Sequence, residues 1–477
     1  MSKLYNAIAK SLTGRLATYI VQFSSLAVYS RIFTPTQFGV IASLQLFVVF
    51  FQMLSDIGIG PAIINEKKFE SKQRDGVFTV TLIFGVFLAV VFYAFSFLIN
   101  EFYNGFEYQK IAALASVGII FSSLSIVPVT ALNKDAKFYQ IALADVVSEI
   151  LTLAIILFLW TLEFGIIALA SRALFQPLFK FCIVLPLSKK TNLGLSRLGR
   201  EVWHIKILFK FSVYQFGFNF INYFSRNMDN LIVAKVFGTI SLGFYDRAYQ
   251  LMRYPLMLTT FAMTPAIQPV LTRYRDDTDY IVKEHNDLAA RLLLISTLIS
   301  VFLYFNAENV VLIIFGEQWL ASIEYVKVFS LIIPIQAVLS TSGSFYQVMN
   351  APRWLFISGL ISALFNLFAI IGGASLGEPI YVAYGLVISF LINFVQNYSI
   401  LFKVVFGRGI FDFLVKLYYS LRAISIPCFI YCCVEILGFN NNNLLPLFNV
   451  IINGLICVVL MVFSRNAIKE IILTKSR

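Results

Sequence analysis

The chain has 477 residues, of which 59% are hydrophobic and only 13% charged, and its mean hydropathy is +0.81. Soluble domains carry about 25% charged residues, so a water-soluble globule is excluded and a lipid bilayer is the solvent this composition fits. The formal charge of +12 is spread over short loops between apolar stretches, which points to a membrane surface and away from nucleic acid.

A helix needs about 20 apolar residues to cross a hydrocarbon core of about 30 Å, and the sequence supplies about 14 such windows. The first six fall near 12–33, 39–63, 77–99, 111–132, 140–162 and 164–187. After a basic stretch come windows near 210–236, 243–270, 287–306, 323–347, 355–375 and 380–402, and two more near 415–437 and 444–463. The fold class is therefore all-α membrane protein. The organisation expected is an N-lobe at 1–187, a basic cytoplasmic linker at 188–209, a C-lobe at 210–403, and a segment at 404–477 holding two additional spans and a basic tail.

An even number of spans places both termini on one side. Lys3, Lys10, Lys67, Lys68, Lys72, Arg74, Lys134, Lys137, Lys189, Lys190, Arg197, Arg200, Arg353, Lys403, Arg408 and Lys469 fall on that side. The opposite loops hold Glu101, Glu107, Glu163, Glu308, Glu317, Glu378 and Glu435, with Lys110 as their basic residue. The positive-inside rule makes the first side cytoplasmic. The first span runs on at full length without a small-residue cleavage site, so it is expected to act as its own insertion signal. The five cysteines lie inside spans and offer neither a disulfide framework nor metal-ligand spacing.

Aligned against itself, the sequence matches Phe33 with Phe237, an offset of 204 residues, and the same offset pairs Gly39 with Gly243, Tyr19 with Tyr223 and Pro61-Ala62-Ile63 with Pro265-Ala266-Ile267. A shared offset at the start of each half predicts a duplicated unit. Six intervening spans make the copies parallel, giving two six-helix lobes plus two C-terminal helices, with a cavity expected between the lobes.

Ionisable residues inside spans are the candidates for function, because each costs roughly 2.5–3.5 kcal/mol at a span centre. Arg172 lies about eight residues into the sixth span, at a depth of about 12 Å. Asp145 and Glu149 are four residues apart on the fifth span, on one helical face, and either could meet Arg172. Arg226 and Asp229 share a face of the seventh span, Arg253 lies near mid-depth in the eighth with no carboxylate close in sequence, and Arg247 lies nearer its outer end. Arg15 and Arg291 each begin a helix at the cytoplasmic mouth, and Asp56 lies deep in the second span. Arg31, Lys180, Lys235, Lys327 and Arg422 are close enough to span ends to reach the headgroups.

Arginine dominates this set, and its planar fork donates two charge-assisted hydrogen bonds to a phosphate. Arg172, Arg253, Arg226, Arg15, Arg247 and Arg291 are thus the expected cationic cavity for an anion, and Asp56, Asp145, Glu149 and Asp229 the expected ion-coupling or gating groups. No metal site is expected, since His204 and His285 are read into cytoplasmic loops without ligand partners. No phosphate-binding glycine loop is present, so no nucleotide cofactor is expected and the energy source would be a proton or sodium gradient. An enzymatic role, as a membrane polymerase or ligase, would need a large outer loop, and none exceeds about 20 residues. A multidrug extruder for cations would need an acidic cavity, against the arginine excess.

The stretch Ser30-Arg31-Ile32-Phe33-Thr34-Pro35-Thr36-Gln37-Phe38-Gly39, with Asp56-Ile57-Gly58-Ile59-Gly60-Pro61-Ala62 after it, resembles the opening of Wzx-type polysaccharide exporters. Asn227-Met228-Asp229-Asn230, Leu242-Gly243-Phe244-Tyr245-Asp246-Arg247-Ala248-Tyr249 and Phe315-Gly316-Glu317-Gln318-Trp319 resemble the colanic-acid-exporter-like branch of that family. The resemblance covers essentially the whole chain. It implies a fold similar to multidrug and toxin extruders, residence in the bacterial inner membrane, and flipping of an undecaprenyl-pyrophosphate-linked oligosaccharide by alternating access. It also implies, as partners, the membrane lipids and the polymerase and glycosyltransferases of one pathway. Asp56, Arg226, Asp229 and Arg247 fall on the family motifs, whereas Arg172, Arg253 and Glu149 rest on depth alone.

Overall fold

A computed structural model describes residues 3–56, 59–66, 69–103, 106–261, 264–436 and 446–463, with side chains at 3–15, 204–222 and scattered single positions outside the description. Among the described residues all regular structure is helical. In chain order the helices are α1 (Lys3–Ile32), α2 (Pro35–Asp56), α3 (Ile59–Asn65), α4 (Ser71–Tyr103), α5 (Gln109–Lys134), α6 (Phe138–Thr161), α7 (Ile166–Ala170), α8 (Arg172–Ser188) and α9 (Ile205–Leu256). They continue as α10 (Thr264–Leu271), α11 (Thr278–Phe305), α12 (Ala307–Ile314), α13 (Ile323–Ser330), α14 (Ile333–Val348), α15 (Pro352–Ser375), α16 (Pro379–Ile400), α17 (Phe411–Ile436) and α18 (Pro446–Phe463).

Among the described residues nine helices or joined helices are long and apolar enough to cross a membrane, or ten if the pair Glu317–Ser330 and Ile333–Val348, bent by 56°, is one span. Adding α1, the two halves of α9 and α18 gives the number of crossings expected from the sequence. The α9 run holds two spans, because Gly238 at φ 85° breaks its helical geometry. A backbone in that region is open to glycine and strained for other residues.

Contacts gather residues 14–243 into one compact unit, and the described residues from 244 onward, with those before 14, into a second. In the first unit, α1 gives way to α2 at a capping box: Gln37 N–H donates to Thr34 Oγ1 at 3.3 Å, and Thr34 N–H donates to Gln37 Oε1 at 3.0 Å. Pro35 starts α2, where its missing N–H leaves no bond unmade. Pro177 in α8 cannot donate to the Ala173 carbonyl four residues back. That carbonyl sits so close to Gly118 of α5 that a methyl there would lie 1.9 Å from it. A helix-breaking proline and a glycine thus meet at the α5–α8 contact.

The duplicated glycines touch each other. A methyl on Gly39 would lie 1.7 Å from the Thr239 carbonyl, and one on Gly243 would lie 2.2 Å from the Pro35 carbonyl. Pro35 and Thr239 are themselves related by the repeat offset, so the two close approaches are equivalent under it.

The second unit is built on α11, whose His285 is fully buried among Phe345, Tyr398, Phe402, Phe406 and Phe413. The sequence placed His285 in a loop; the helix instead starts at Thr278, capped by Asp277, whose Oδ1 accepts from Tyr280 N–H at 3.0 Å. Helices α15 and α16 approach closely at Gly373 and Gly385. A polar ladder also joins them. Ser389 Oγ donates to Asn366 Oδ1 at 2.6 Å, Asn397 Nδ2 to Ser358 Oγ at 2.9 Å and Gln396 Nε2 to Ser358 Oγ at 3.2 Å.

Candidate functional site

The fifth and sixth spans bring Arg172 and Glu149 together. Asp145 and Glu149 stand one turn apart on α6, and the polypeptide returns through α7 to place Arg172 at the start of α8. One guanidinium nitrogen, Nη2, donates to both Glu149 oxygens, at 3.1 and 3.2 Å. The carboxylate is 1% exposed, whereas the Arg172 side chain is 39% exposed. Tyr29 of α1, itself fully buried, lies 5.4 Å by its ring centroid from the Arg172 Cζ, in cation–π range.

Asp145 does not join this pair. It accepts from Lys180 Nζ at 2.8 Å, with both side chains partly exposed, so each α6 carboxylate has its own cation on α8. Lys180, expected to reach for the headgroups, is held in this second pair.

The chemistry follows from the asymmetry in burial. A carboxylate out of reach of solvent and an aromatic ring fix the guanidinium plane, and part of the guanidinium faces accessible space. Arginine can donate from several N–H groups in fixed directions, so one side chain can hold Glu149 and present charge to a phosphate oxygen.

The other expected site residues lie on other helices. Arg226 and Arg253 are exposed, and neither makes an ion pair among the described residues; Asp229, one turn beyond Arg226, is buried. Near them Tyr223 donates its hydroxyl hydrogen to the Leu46 carbonyl at 2.5 Å, and Asn227 Nδ2 donates to the Tyr223 carbonyl at 2.8 Å. Arg291 is half-buried in α11. Arg247 is buried and donates from Nη2 to Asp246 Oδ2 at 2.8 Å, and Gln250 Nε2 donates to the same oxygen at 2.8 Å. Asp56 is the last described residue before α3, and its Oδ1 accepts from Gly60 N–H in α3 at 3.3 Å. Arg15 lies outside the described side chains.

Two functional neighbours escaped the sequence reading. Tyr29 is one aromatic among many in α1, and nothing in its spacing points to Arg172. Asp246 was visible, but adjacent residues on a helix point about 100° apart, so it was not matched with Arg247.

The fold defines a multi-pass membrane protein of the transporter type, with arginines inside long apolar helices. Residues 28–324 match the family described as polysaccharide biosynthesis protein, and the chain belongs to that family. It is 22% identical over 433 residues to the teichuronic acid biosynthesis protein TuaB of Bacillus subtilis, covering 88% of this chain and 85% of that protein. It is likewise 22% identical over 442 residues to the lipopolysaccharide biosynthesis protein WzxC of Escherichia coli, with 88% and 85% covered. The solved structure of the lipid II flippase MurJ in an inward closed conformation is similar at a TM-score of 0.76 and 18% identity, over 96% of this chain and all of that one. An inward-facing multidrug transporter of the MATE family is similar at a TM-score of 0.64 and 12% identity, over 80% and 94%. The MATE-like fold and the kinship with Wzx-type exporters expected from the motifs are therefore both observed.

Proposed function

We propose that this protein flips a polyprenyl-pyrophosphate-linked oligosaccharide across the cytoplasmic membrane by alternating access, without changing it chemically. The observation that carries this reading is Arg172: an arginine in the candidate span Ile166–Ser188, oriented by a buried carboxylate and a tyrosine ring, with its side chain 39% exposed. A pyrophosphate leaving water needs such a group, while the lipid tail stays in the bilayer and the hydrated sugars follow. Arg226 is a further accessible cation of the same unit and serves the same anion on this reading, and Arg253 is an accessible cation of the other unit. The names of the relatives support it, since TuaB and WzxC are biosynthesis proteins for teichuronic acid and lipopolysaccharide, and MurJ is a lipid II flippase.

The same reading places both termini in the cytoplasm, because the basic loops alternate with acidic ones. It makes N-lobe, linker and C-lobe the moving parts. A proton or sodium gradient drives the cycle, with Asp145, whose ion pair with Lys180 is partly exposed, as the carboxylate most open to exchange. Glycosyltransferases and a polymerase supply and consume the glycan.

The test uses purified protein in vesicles carrying a fluorescent polyprenyl-pyrophosphate sugar, with inner-leaflet probe protected from a membrane-impermeant quencher. Native protein exchanges the probe between leaflets, and Arg172→Gln and Arg253→Gln slow that exchange. Unchanged exchange in both variants would remove these arginines from the path, and export of cationic dyes in place of the lipid would favour a drug extruder.

A further inference from the structure

The segment between α8 and α9 is the longest irregular stretch of the first unit, yet it is bolted down. Asp135, in the turn between α5 and α6, accepts from Asn192 N–H at 2.8 Å and from Asn192 Nδ2 at 3.0 Å. Lys137 in the same turn donates to the Lys190 carbonyl, and Arg74 at the start of α4 donates to the Leu193 carbonyl. Asp75 Oδ1 accepts from Arg197 N–H at 2.9 Å, and Thr79 brackets Gly199, accepting from its N–H at 2.8 Å and donating to its carbonyl at 2.9 Å. Gly76 lets the Glu201 backbone come close enough that a methyl would lie 2.1 Å from its carbonyl.

All these anchors are the ends of helices that cross the membrane, so the segment lies against one membrane face. What it presents outward is unusual for a rigid surface in water. Trp203 is 71% and Leu198 66% exposed, and Phe138 and Tyr139 at the adjoining start of α6 are 62% and 77% exposed. Lys189, Lys190, Arg197 and Arg200 are exposed beside them, with Glu201 as the exposed carboxylate between 188 and 203. Tryptophan and tyrosine favour the headgroup level of a bilayer, and lysine and arginine there draw anionic lipid.

We infer that this segment, with the start of α6, is a binding surface for anionic phospholipid headgroups, in which Trp203 and Leu198 enter the interface and Lys189, Lys190, Arg197 and Arg200 hold phosphate. Backbone anchoring makes the surface a fixed array that a flexible basic loop would not be. The inference rests on the membrane-spanning fold and stands whether or not the cargo is a lipid-linked glycan.

The experiment reconstitutes native protein and the Trp203→Phe variant in mixed vesicles of phosphatidylcholine and phosphatidylglycerol, in which either one lipid or the other is brominated. The difference in fluorescence between the two proteins isolates Trp203 without altering the buried Trp319. The expected result is a blue-shifted Trp203 signal quenched at least about twofold more by brominated phosphatidylglycerol than by brominated phosphatidylcholine at equal mole fraction. Replacing Lys189, Lys190, Arg197 and Arg200 together by glutamine should equalise the two. Equal quenching in the native protein would reduce the surface to a non-selective apolar anchor and overturn the inference. An unquenched, water-like Trp203 would overturn it in favour of a soluble protein partner. Probe flipping measured in the same vesicles is a separate readout, so absence of lipid selectivity in the native protein with transport intact would sink this inference and leave the flippase reading standing.

Discussion

Arg172 and Arg247 are both arginines that the sequence places within the bilayer, and the structure treats them differently. Arg172 meets a carboxylate 23 residues away on another helix, which is buried while the arginine stays 39% exposed. Arg247 meets the residue next to it, and both side chains are nearly closed off, at 7% and 12% exposed. Depth alone therefore does not tell an arginine that offers its charge from one already neutralised; the placement of the counter-charge does. The first arrangement suits binding and the second suits helix packing.

The largest effect separates the two roles. Removing one member of a buried ion pair typically costs about 3–5 kcal/mol, while replacing both by apolar residues of similar size is often neutral. Arg247→Ala should therefore lower thermal stability in detergent strongly, and the double change Asp246→Leu with Arg247→Met should recover most of the loss and keep transport. A stable double variant that no longer transports would move Arg247 from the packing class to the anion path.

For Arg172 the order reverses, with function more sensitive than stability. A hydrogen bond to a charged group contributes about 1.5–3 kcal/mol, which corresponds to a loss of about 10- to 100-fold in transport rate for Arg172→Gln. Glu149→Gln made in the same protein removes the orphaned carboxylate, so it should restore stability and leave transport low. Recovery of transport in that double variant would show that Arg172 only neutralises Glu149.

A third prediction concerns the paired close approaches of Gly39 and Gly243. Overpacking a close contact costs about 1–3 kcal/mol, and Gly39→Ala and Gly243→Ala should each lower the unfolding temperature by that order. Because both methyls push apart the same two helix starts, the double variant should lose less than the sum. Full additivity would mean that the two glycines do not meet.

Much of this was legible in the sequence. Fourteen apolar windows and the 204-residue offset follow from patterns in the sequence, and the touching of Gly39 and Gly243 gives the offset a physical meaning. What was not legible depends on which residues meet across helices. The spacing of Asp145 and Glu149 showed that they share a face, but choosing Glu149 for Arg172 and Asp145 for Lys180 needs the relative height of α6 and α8. The kink at Gly238 and the burial of His285 depend on packing that hydropathy does not encode. Neutral polar residues were passed over for a different reason: a serine or asparagine in a span stands out far less on a transfer scale than an arginine.

The smallest effect concerns such residues. Ser358, Ser362 and Asn366 recur every four residues on α15, and Ser389, Asn393 and Asn397 do so on α16. Those stripes face each other: Asn366 Oδ1 accepts from Ser389 Oγ and from Asn393 Nδ2, at 2.6 and 3.2 Å. Hydrogen bonds between membrane helices average only about 0.6 kcal/mol, because an unfolded helix in lipid also finds partners. Ser389→Ala should therefore lower stability by about that amount, measured by unfolding in mixed micelles, far below the loss expected at Arg247. A loss of several kcal/mol would mean that the ladder acts as one cooperative unit, and that uncharged polar stripes weigh as much in this fold as the buried charges do.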